Sequence, residues 1–229
     1  SNGSVDVNVA KGEHTIPANN NFNNNFEDLT VLEGATLTIE DAIKAHFVVN
    51  EGTLNVKANV ESTIENHGVL NIADANINKV VNETEANVTG TATVREFINK
   101  NTCVNCGKDA AVLTITGVLN VTELLDNYNI IVNNGELITN YDDAVFNNRE
   151  GAVINNSGEA KVINLTNDGT INVLDGVFRT NQQANVNNGT IAISEGAELM
   201  TERNAVLKNF GTINVEGDLH ENVQNAGYI

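Results

Sequence analysis

The nine residues at 165–173, Leu-Thr-Asn-Asp-Gly-Thr-Ile-Asn-Val, decide the fold of this chain, because their pattern recurs along it. Written by residue type, the pattern is apolar, any, Asn, any, Gly, any, apolar, any, apolar. It returns at residues 64–72 and again at 207–215. A phrase repeated at intervals of about 20 residues is typical of solenoid proteins, in which each repeat stacks on the one before. The sequence therefore predicts a repeat architecture.

Each repeat has the pattern of short strands. Apolar and polar residues alternate after most of the recurring glycines, as in Gly-Thr-Leu-Asn-Val at 52–56 and Gly-Thr-Ile-Ala-Ile at 189–193. Such alternation predicts half-buried strands. At about 3.3 Å per residue, some 20 residues allow about three strands and the bends between them. We therefore predict an all-β parallel β-helix of about ten coils, forming a rod about 50 Å long.

The recurring glycines define a register and one departure from it. They are Gly34, Gly52, Gly68, Gly90, Gly117, Gly135, Gly151, Gly169, Gly189, Gly211 and Gly227. The longest interval, from Gly90 to Gly117, predicts an insertion within 96–111 on an otherwise compact scaffold. We expect one elongated domain, with residues 1–33 as an N-terminal cap with the first strands and residues 34–229 as the β-helix repeats.

The Asn and Gly of the phrase are predicted to form the corner of each coil. Both residue types accept a positive φ more readily than others, which a tight bend requires. If coils stack in register about 4.8 Å apart, the Asn side-chain amides can hydrogen-bond along the stack. The predicted structural ladder consists of Asn50, Asn66, Asn133, Asn167, Asn187, Asn209 and Asn225.

Threonines recur immediately after several of the marker glycines. They are Thr53, Thr91, Thr170, Thr190 and Thr212. In stacked coils they predict a polar ribbon on one outer face. A lattice of ice or sugar could bind such a ribbon, but uneven coil lengths favour an ordinary strand exterior.

Composition restricts the class of partner. Twelve basic and 30 acidic residues give a net charge of −18, which argues against nucleic acid, anionic polysaccharide and acidic lipid. The sequence contains no run of 18 or more apolar residues, so no membrane span is predicted, and no signal peptide is visible. We expect an extracellular or cell-surface location, on a bacterium.

The predicted insertion contains the only two cysteines, Cys103 and Cys106. Four interpretations apply to them: a local disulfide, a zinc site, a redox pair and two free thiols. A zinc site needs more ligands nearby, and the four histidines are far apart in sequence. A thioredoxin-like pair needs a βαβ setting, which the pattern lacks. The disulfide is the favoured interpretation.

Asp142 and Asp143 are the candidates for catalysis. Neighbouring acids can serve a glycoside hydrolase or bind calcium, although adjacent residues on a strand point to opposite faces. The pair could act together only in a loop, and a solvated acidic turn is the favoured interpretation. We therefore expect no metal and no cofactor.

The phrase, the coil length and the Asn corner make residues 34–229 resemble the right-handed parallel β-helix proteins. That group includes pectate-lyase-like enzymes, bacterial adhesins and autotransporter passengers. Left-handed β-helices keep strict six-residue periods, from which the intervals here depart. The resemblance implies right-handed coils. In the enzymatic members, long loops and basic or paired acidic residues form a cleft, whereas this chain has compact turns and few basic residues.

These observations predict a secreted or cell-surface β-helix that acts as an adhesin-like or structural binding stalk without catalysis. The expected partner is an extracellular protein or a glycan, with self-association end to end or side by side as a further expectation. The alternative is a polysaccharide-active enzyme, a lyase or glycoside hydrolase, or a carbohydrate-binding module. Its site would be Asp142, Asp143 and the loop around Cys103 and Cys106.

Overall fold

The computed structural model describes residues 5–19, 24–101, 110–139, 143–181, 185–202, 205–220 and 222–229. Within these residues the chain forms 28 strands and no helix, and every pairing between strands is parallel. The strands stack as a β-solenoid of about ten turns. The predicted all-β, right-handed parallel β-helix is thereby confirmed.

One side of the solenoid is a sheet of eleven described strands, which we call the flat sheet. It consists of β2 (Gly12–Ile16), β4 (Ala35–Ile39), β6 (Thr53–Val56), β8 (Val69–Ile72), β10 (Glu85–Val88), β12 (Val112–Ile115), β14 (Ile130–Asn133), β17 (Val153–Asn156), β20 (Thr170–Val173), β23 (Thr190–Ile193) and β26 (Thr212–Val215). Its register continues without a shift from β4 to β26.

The remaining 17 described strands form the bent sheet. They are β1 (Val7–Val9), β3 (Asp28–Val31), β5 (Ile43–Asn50), β7 (Val60–Asn66), β9 (Ala75–Asn82), β11 (Thr91–Asn99), β13 (Val118–Asn127), β15 (Glu136–Thr139), β16 (Val145–Asn148), β18 (Glu159–Ile163), β19 (Leu165–Asn167), β21 (Val177–Asn181), β22 (Asn185–Asn187), β24 (Glu198–Thr201), β25 (Leu207–Asn209), β27 (Asp218–His220) and β28 (Val223–Asn225).

The bent sheet changes form at β13. From β5 to β11, each coil contributes one long strand that bends within its own length. The first part of β13 pairs with β15 and its last part with β16, so later coils contribute two strands. A coil therefore runs from the flat sheet through one or two strands of the bent sheet and back to the flat sheet.

Alternation along the strands places the core inside the coil. Strands such as β6 and β20 bury every second residue, as the period-two pattern predicts. The largest fully buried side chains include Phe97, Phe146 and Phe178. Each coil thus buries one apolar face against the opposite sheet and its neighbours.

The marker glycines occupy two corners, whereas the sequence suggested one. Gly68 and Gly169 lie where the bent sheet leads into the flat sheet, but Gly90, Gly117 and Gly135 lie at the opposite corner. The coil length is therefore better read from the stacked asparagines, which are separated by 16 residues near the start and by 28 residues across the predicted insertion.

The reason for glycine also differs from the predicted one at most of these corners. Among the described marker glycines, a positive φ occurs only at Gly34 and Gly151. At Gly189, a Cβ atom would instead overlap the carbonyl oxygen of Gly169 in the preceding coil. At Gly189 the stacked backbones approach so closely that no side chain fits between them.

Candidate binding groove

The long strands of the bent sheet bend at β-bulges, and the bends form a groove on the outer surface. Register shifts occur between Lys44 and Phe47, between Val60 and Thr63, and between Val94 and Glu96. A bulge adds one residue to a strand, bends it and re-aims its side chains. In β11, for example, two successive residues, Arg95 and Glu96, both face outward.

The groove has a volume of about 700 Å³ and extends over five coils, from the residues that precede β3 to β11. It is lined by Asn25, Phe26, Lys44, Ala45, His46, Glu61, Ser62, Thr63, Asn78, Lys79, Arg95 and Glu96. Most of these side chains are polar, and the backbone of the bent sheet holds them in rows along the solenoid axis.

Charged side chains in the groove are paired between neighbouring coils. The ammonium group of Lys44 lies 3.0 Å from a carboxylate oxygen of Glu61, and that of Lys79 lies 2.7 Å from Glu96. Arg95 Nε lies 3.2 Å from Glu123 in the next coil. The Lys79–Glu96 pair is the less exposed, with about a quarter of the Glu96 side chain accessible. Each acid of the groove therefore already has a cation beside it.

The groove differs in charge from the rest of the chain. Of the 12 basic residues in the chain, three line the groove: Lys44, Lys79 and Arg95. Only two acidic residues line it, Glu61 and Glu96. A chain with a net charge of −18 thus has a strip in which basic and acidic side chains are locally balanced, since Glu123 beside the groove pairs with Arg95. Amide and hydroxyl groups of Asn78 and Thr63 stand beside these charges, so the groove offers both donors and acceptors.

The described residues contain no group of three or more His, Cys, Asp or Glu side chains placed to hold a metal ion. The chemistry that the groove does offer is hydrogen bonding and charge contact over an extended surface.

A second cluster lies at the corner beside the predicted insertion. Asp126 is buried and accepts two hydrogen bonds from Arg149, at 2.6 and 3.1 Å. This hydrogen bonding to Asp126 is the main cause that raises the pKa of Arg149 above its ordinary value. The ring of Tyr128 lies between Arg149 and Lys100, with cation-to-centroid distances of 5.4 and 4.6 Å. This cluster ties three successive coils together.

Most of the predicted asparagines are brought together in an amide ladder that is buried except at Asn225, and we call it the main ladder. Each amide nitrogen donates to the side-chain oxygen of the next member, at 2.6 to 2.9 Å. The members are Asn50, Asn66, Asn82, Asn99, Asn127, Asn148, Asn167, Asn187, Asn209 and Asn225. Six of the seven asparagines predicted from the sequence are among them.

Asn133 is the exception and belongs to the opposite corner. It ends the flat-sheet strand β14, and its amide donates to Oδ1 of Asn156 at 2.7 Å. At this position the strands on either side of the pair, β12 and β20, carry Ile115 and Val173. The Asn-x-Gly phrase can therefore occur at either corner. For this reason the sequence pattern grouped Asn133 with the asparagines of the opposite corner.

The other candidate sites receive little from the structure. Cys103, Cys106 and Asp142 lie outside the described residues. Asp143 is exposed in a turn between β15 and β16 and does not line the groove. Thr91 lies on the bent sheet, apart from the flat-sheet threonines with which it was grouped.

Sequence reasoning missed the groove. A signal for it exists, because Asn78 and Lys79 in β9 and Arg95 and Glu96 in β11 break the alternation with two successive polar residues. Such breaks mark a bulge in a strand.

Comparison of the chain with known protein families, with curated proteins and with solved structures finds no match. In the part of the chain that the structure describes, no helix is long and apolar enough to span a membrane.

Proposed function

We propose that this chain is a non-catalytic binding stalk, secreted or held at a cell surface, that holds an extended polar partner along the groove. The observation that carries the proposal is the row of charged and amide side chains set out over five coils. A partner that follows the solenoid axis would contact each coil in turn. A glycan chain without net charge fits this arrangement, because its hydroxyl groups can pair with both donors and acceptors.

The pairing of charges supports binding over catalysis. Glycoside hydrolysis needs two carboxyl groups that flank one bond, one to protonate the leaving oxygen and one to attack or activate water. Glu61 and Glu96 follow one another along the groove, and each is held by a cation of a neighbouring coil. Glu123, outside the groove, is held in the same way by Arg95. This arrangement distributes contacts along a chain instead of directing two acids at one point.

The alternative function is a polysaccharide-active enzyme that uses the same groove. The presence of Glu61 and Glu96 beside a cavity of about 700 Å³ favours it over a site at the exposed Asp143. On this alternative, Glu61→Gln or Glu96→Gln would abolish turnover while binding persists.

A glycan array combined with a reducing-sugar assay tests both functions. We expect binding of an uncharged glycan without release of reducing ends, and a loss of at least tenfold in affinity for Lys79→Ala and Arg95→Ala. The control is Lys57→Ala, which breaks a pair of similar length, 3.2 Å to Glu40, outside the groove. Turnover that disappears in Glu96→Gln would replace the binding function by the enzymatic one. Equal binding by Lys79→Ala, Arg95→Ala and the control would refute the groove as the site.

A further inference from the structure

The outer face of the flat sheet is almost free of charge. From β4 to β26, two side chains of each of ten strands face outward, 20 in all. They are Thr36, Thr38, Thr53, Asn55, Val69, Asn71, Glu85, Asn87, Val112, Thr114, Ile130, Val132, Val153, Asn155, Thr170, Asn172, Thr190, Ala192, Thr212 and Asn214. Glu85 is the one charged member, whereas 12 basic and 30 acidic residues are spread over the 229 residues of the chain.

The centre of this face is aliphatic. Val112, Ile130 and Val153 are register partners in three adjacent strands, and Val132 lies beside them in β14. All four are partly exposed. Threonine and asparagine surround them on both sides, together with Glu85, which is the register partner of Val112. An apolar centre, a polar rim and a depletion of charged residues together are typical of protein–protein interfaces.

The composition of the face favours a second copy of the chain over other occupants. The 20 outward-facing side chains from β4 to β26 include no aromatic ring on which a sugar could stack. Two copies that each carry a charge of −18 repel one another over most of their surfaces, and this face lets them approach with the least repulsion. The face is also self-complementary about β14, since two strands away on either side Glu85 would meet the uncharged Thr170.

We propose that two copies of this chain pair side by side through the outer faces of their flat sheets, about a two-fold axis that runs along β14. In this pairing Ile130 faces Ile130, and Val112 of one copy faces Val153 of the other. The nine strands from β6 to β26 overlap in this pairing, whereas β4 extends past β26 of the other copy. At about 4.8 Å apart and about 13 Å long, these strands cover about 560 Å² per copy. A total of about 1,100 Å² is typical of weak interfaces, so the dimer dissociates on dilution. The groove lies on the bent sheet, and the pairing is independent of the proposed function.

Sedimentation velocity from about 1 μM to about 500 μM tests the pairing. The wild-type chain should change from monomer to dimer over this range. Ile130→Lys should remain a monomer, whereas Val145→Lys, which changes an exposed valine of the bent sheet, should dimerise like the wild type. Circular dichroism shows whether each variant keeps its strands. A wild-type chain that stays monomeric, or that forms species larger than a dimer, would overturn the proposal.

A pair of charge variants tests the orientation. Val112→Lys and Val153→Glu should each weaken self-association at least tenfold, because each places a charge against an aliphatic side chain. Mixed in equal amounts, the two variants should form a heterodimer, since the introduced ammonium group of one copy then meets the introduced carboxylate of the other. Absence of rescue on mixing would refute the two-fold axis along β14, even if the wild type dimerises.

Discussion

The side-chain amide of Asn66 donates to Oδ1 of Asn82 at 2.7 Å, and both residues are completely buried. The same amide donates to the carbonyl oxygen of Glu85 at 2.8 Å, while Oδ1 of Asn66 accepts from Asn50. The polar atoms of an inner ladder residue are thus satisfied by the coils on either side. Buried amides without partners are costly, so the main ladder makes each coil depend on its neighbours.

Asn82→Val should destabilise the fold by about 3 kcal/mol, because it removes partners from two buried groups. The amide of Asn66 loses one of its two short hydrogen bonds, and Oδ1 of Asn99 loses its donor. Valine is of similar size, so little of the effect comes from a cavity. Urea unfolding followed by circular dichroism measures the difference.

Asn50→Val provides the matched control for that substitution. Oδ1 of Asn50 is buried and has no hydrogen-bond partner among the described residues, because Val31 occupies this position in the preceding coil. The substitution removes the unpaired Oδ1 of Asn50 but leaves Oδ1 of Asn66 without its donor, so the number of unpaired side-chain oxygens in the ladder stays the same. Its loss of stability should be smaller than that of Asn82→Val by about 1 kcal/mol or more. Equal losses would mean that the direction of the main ladder has no energetic consequence.

Gly189→Ala should destabilise the fold by about 2 kcal/mol or more, because the new methyl group would overlap the carbonyl oxygen of Gly169. The strain comes from stacking, since Gly189 has no positive φ. Gly189→Asn should therefore be at least as damaging as Gly189→Ala. Thermal unfolding of the two variants gives the comparison.

Gly151 is the contrasting position at the same corner. Its φ is 78°, and nothing lies within 4 Å of the position that a Cβ would take. Asn tolerates this backbone conformation better than Ala does, so Gly151→Asn should be more stable than Gly151→Ala. If Gly151→Asn is no more stable than Gly151→Ala, positive φ does not explain the glycine at residue 151. If Gly189→Asn is more stable than Gly189→Ala, close stacking does not explain the glycine at residue 189.

The fold was predictable from sequence because a solenoid repeats its local rules. Alternation after each glycine gave the strands, and one recurring phrase gave the stacking. The assignment of corners was not predictable, because Asn133-Asn-Gly135 and Asn167-Asp-Gly169 read alike although they lie on opposite corners. Asn82 was not predicted as a ladder residue, because Thr84 stands two residues after it, where the phrase has glycine.

The groove was harder to predict than the ladder, because it depends on where bulges of neighbouring coils coincide. A single pair such as Asn78-Lys79 reads as an interruption within one strand. Only the register of β5, β7, β9 and β11 brings those interruptions together. The uncharged outer face of the flat sheet likewise becomes visible only after each strand has been assigned to a sheet.

Arg149→Met should destabilise the fold by about 3 kcal/mol, because it leaves the buried carboxylate of Asp126 without its cation. The double variant Asp126→Leu with Arg149→Met should recover much of that loss, since it buries no unpaired charge. A double-mutant cycle in urea measures the coupling. Additive effects of the two single substitutions would show that the pair contributes no coupling energy.

Lys161 should make the fold sensitive to alkaline pH. Its ammonium group lies 2.8 Å from Glu136 and 3.5 Å from Glu159. The hydrogen bond to Glu136 is the main cause that raises its pKa above the ordinary 10.5. Because the folded chain holds this proton more tightly than the unfolded chain, the stabilisation is complete below pH 10.5 and is lost as the pH rises through the folded pKa. The free energy of unfolding should therefore fall less steeply above that pH in Lys161→Met than in the wild type.

The control is Lys57→Met, which removes the more exposed pair with Glu40 and shows how far loss of a lysine by itself alters the curve of stability against pH. Parallel curves for the wild type and Lys161→Met would exclude Lys161 as the source of the alkaline sensitivity.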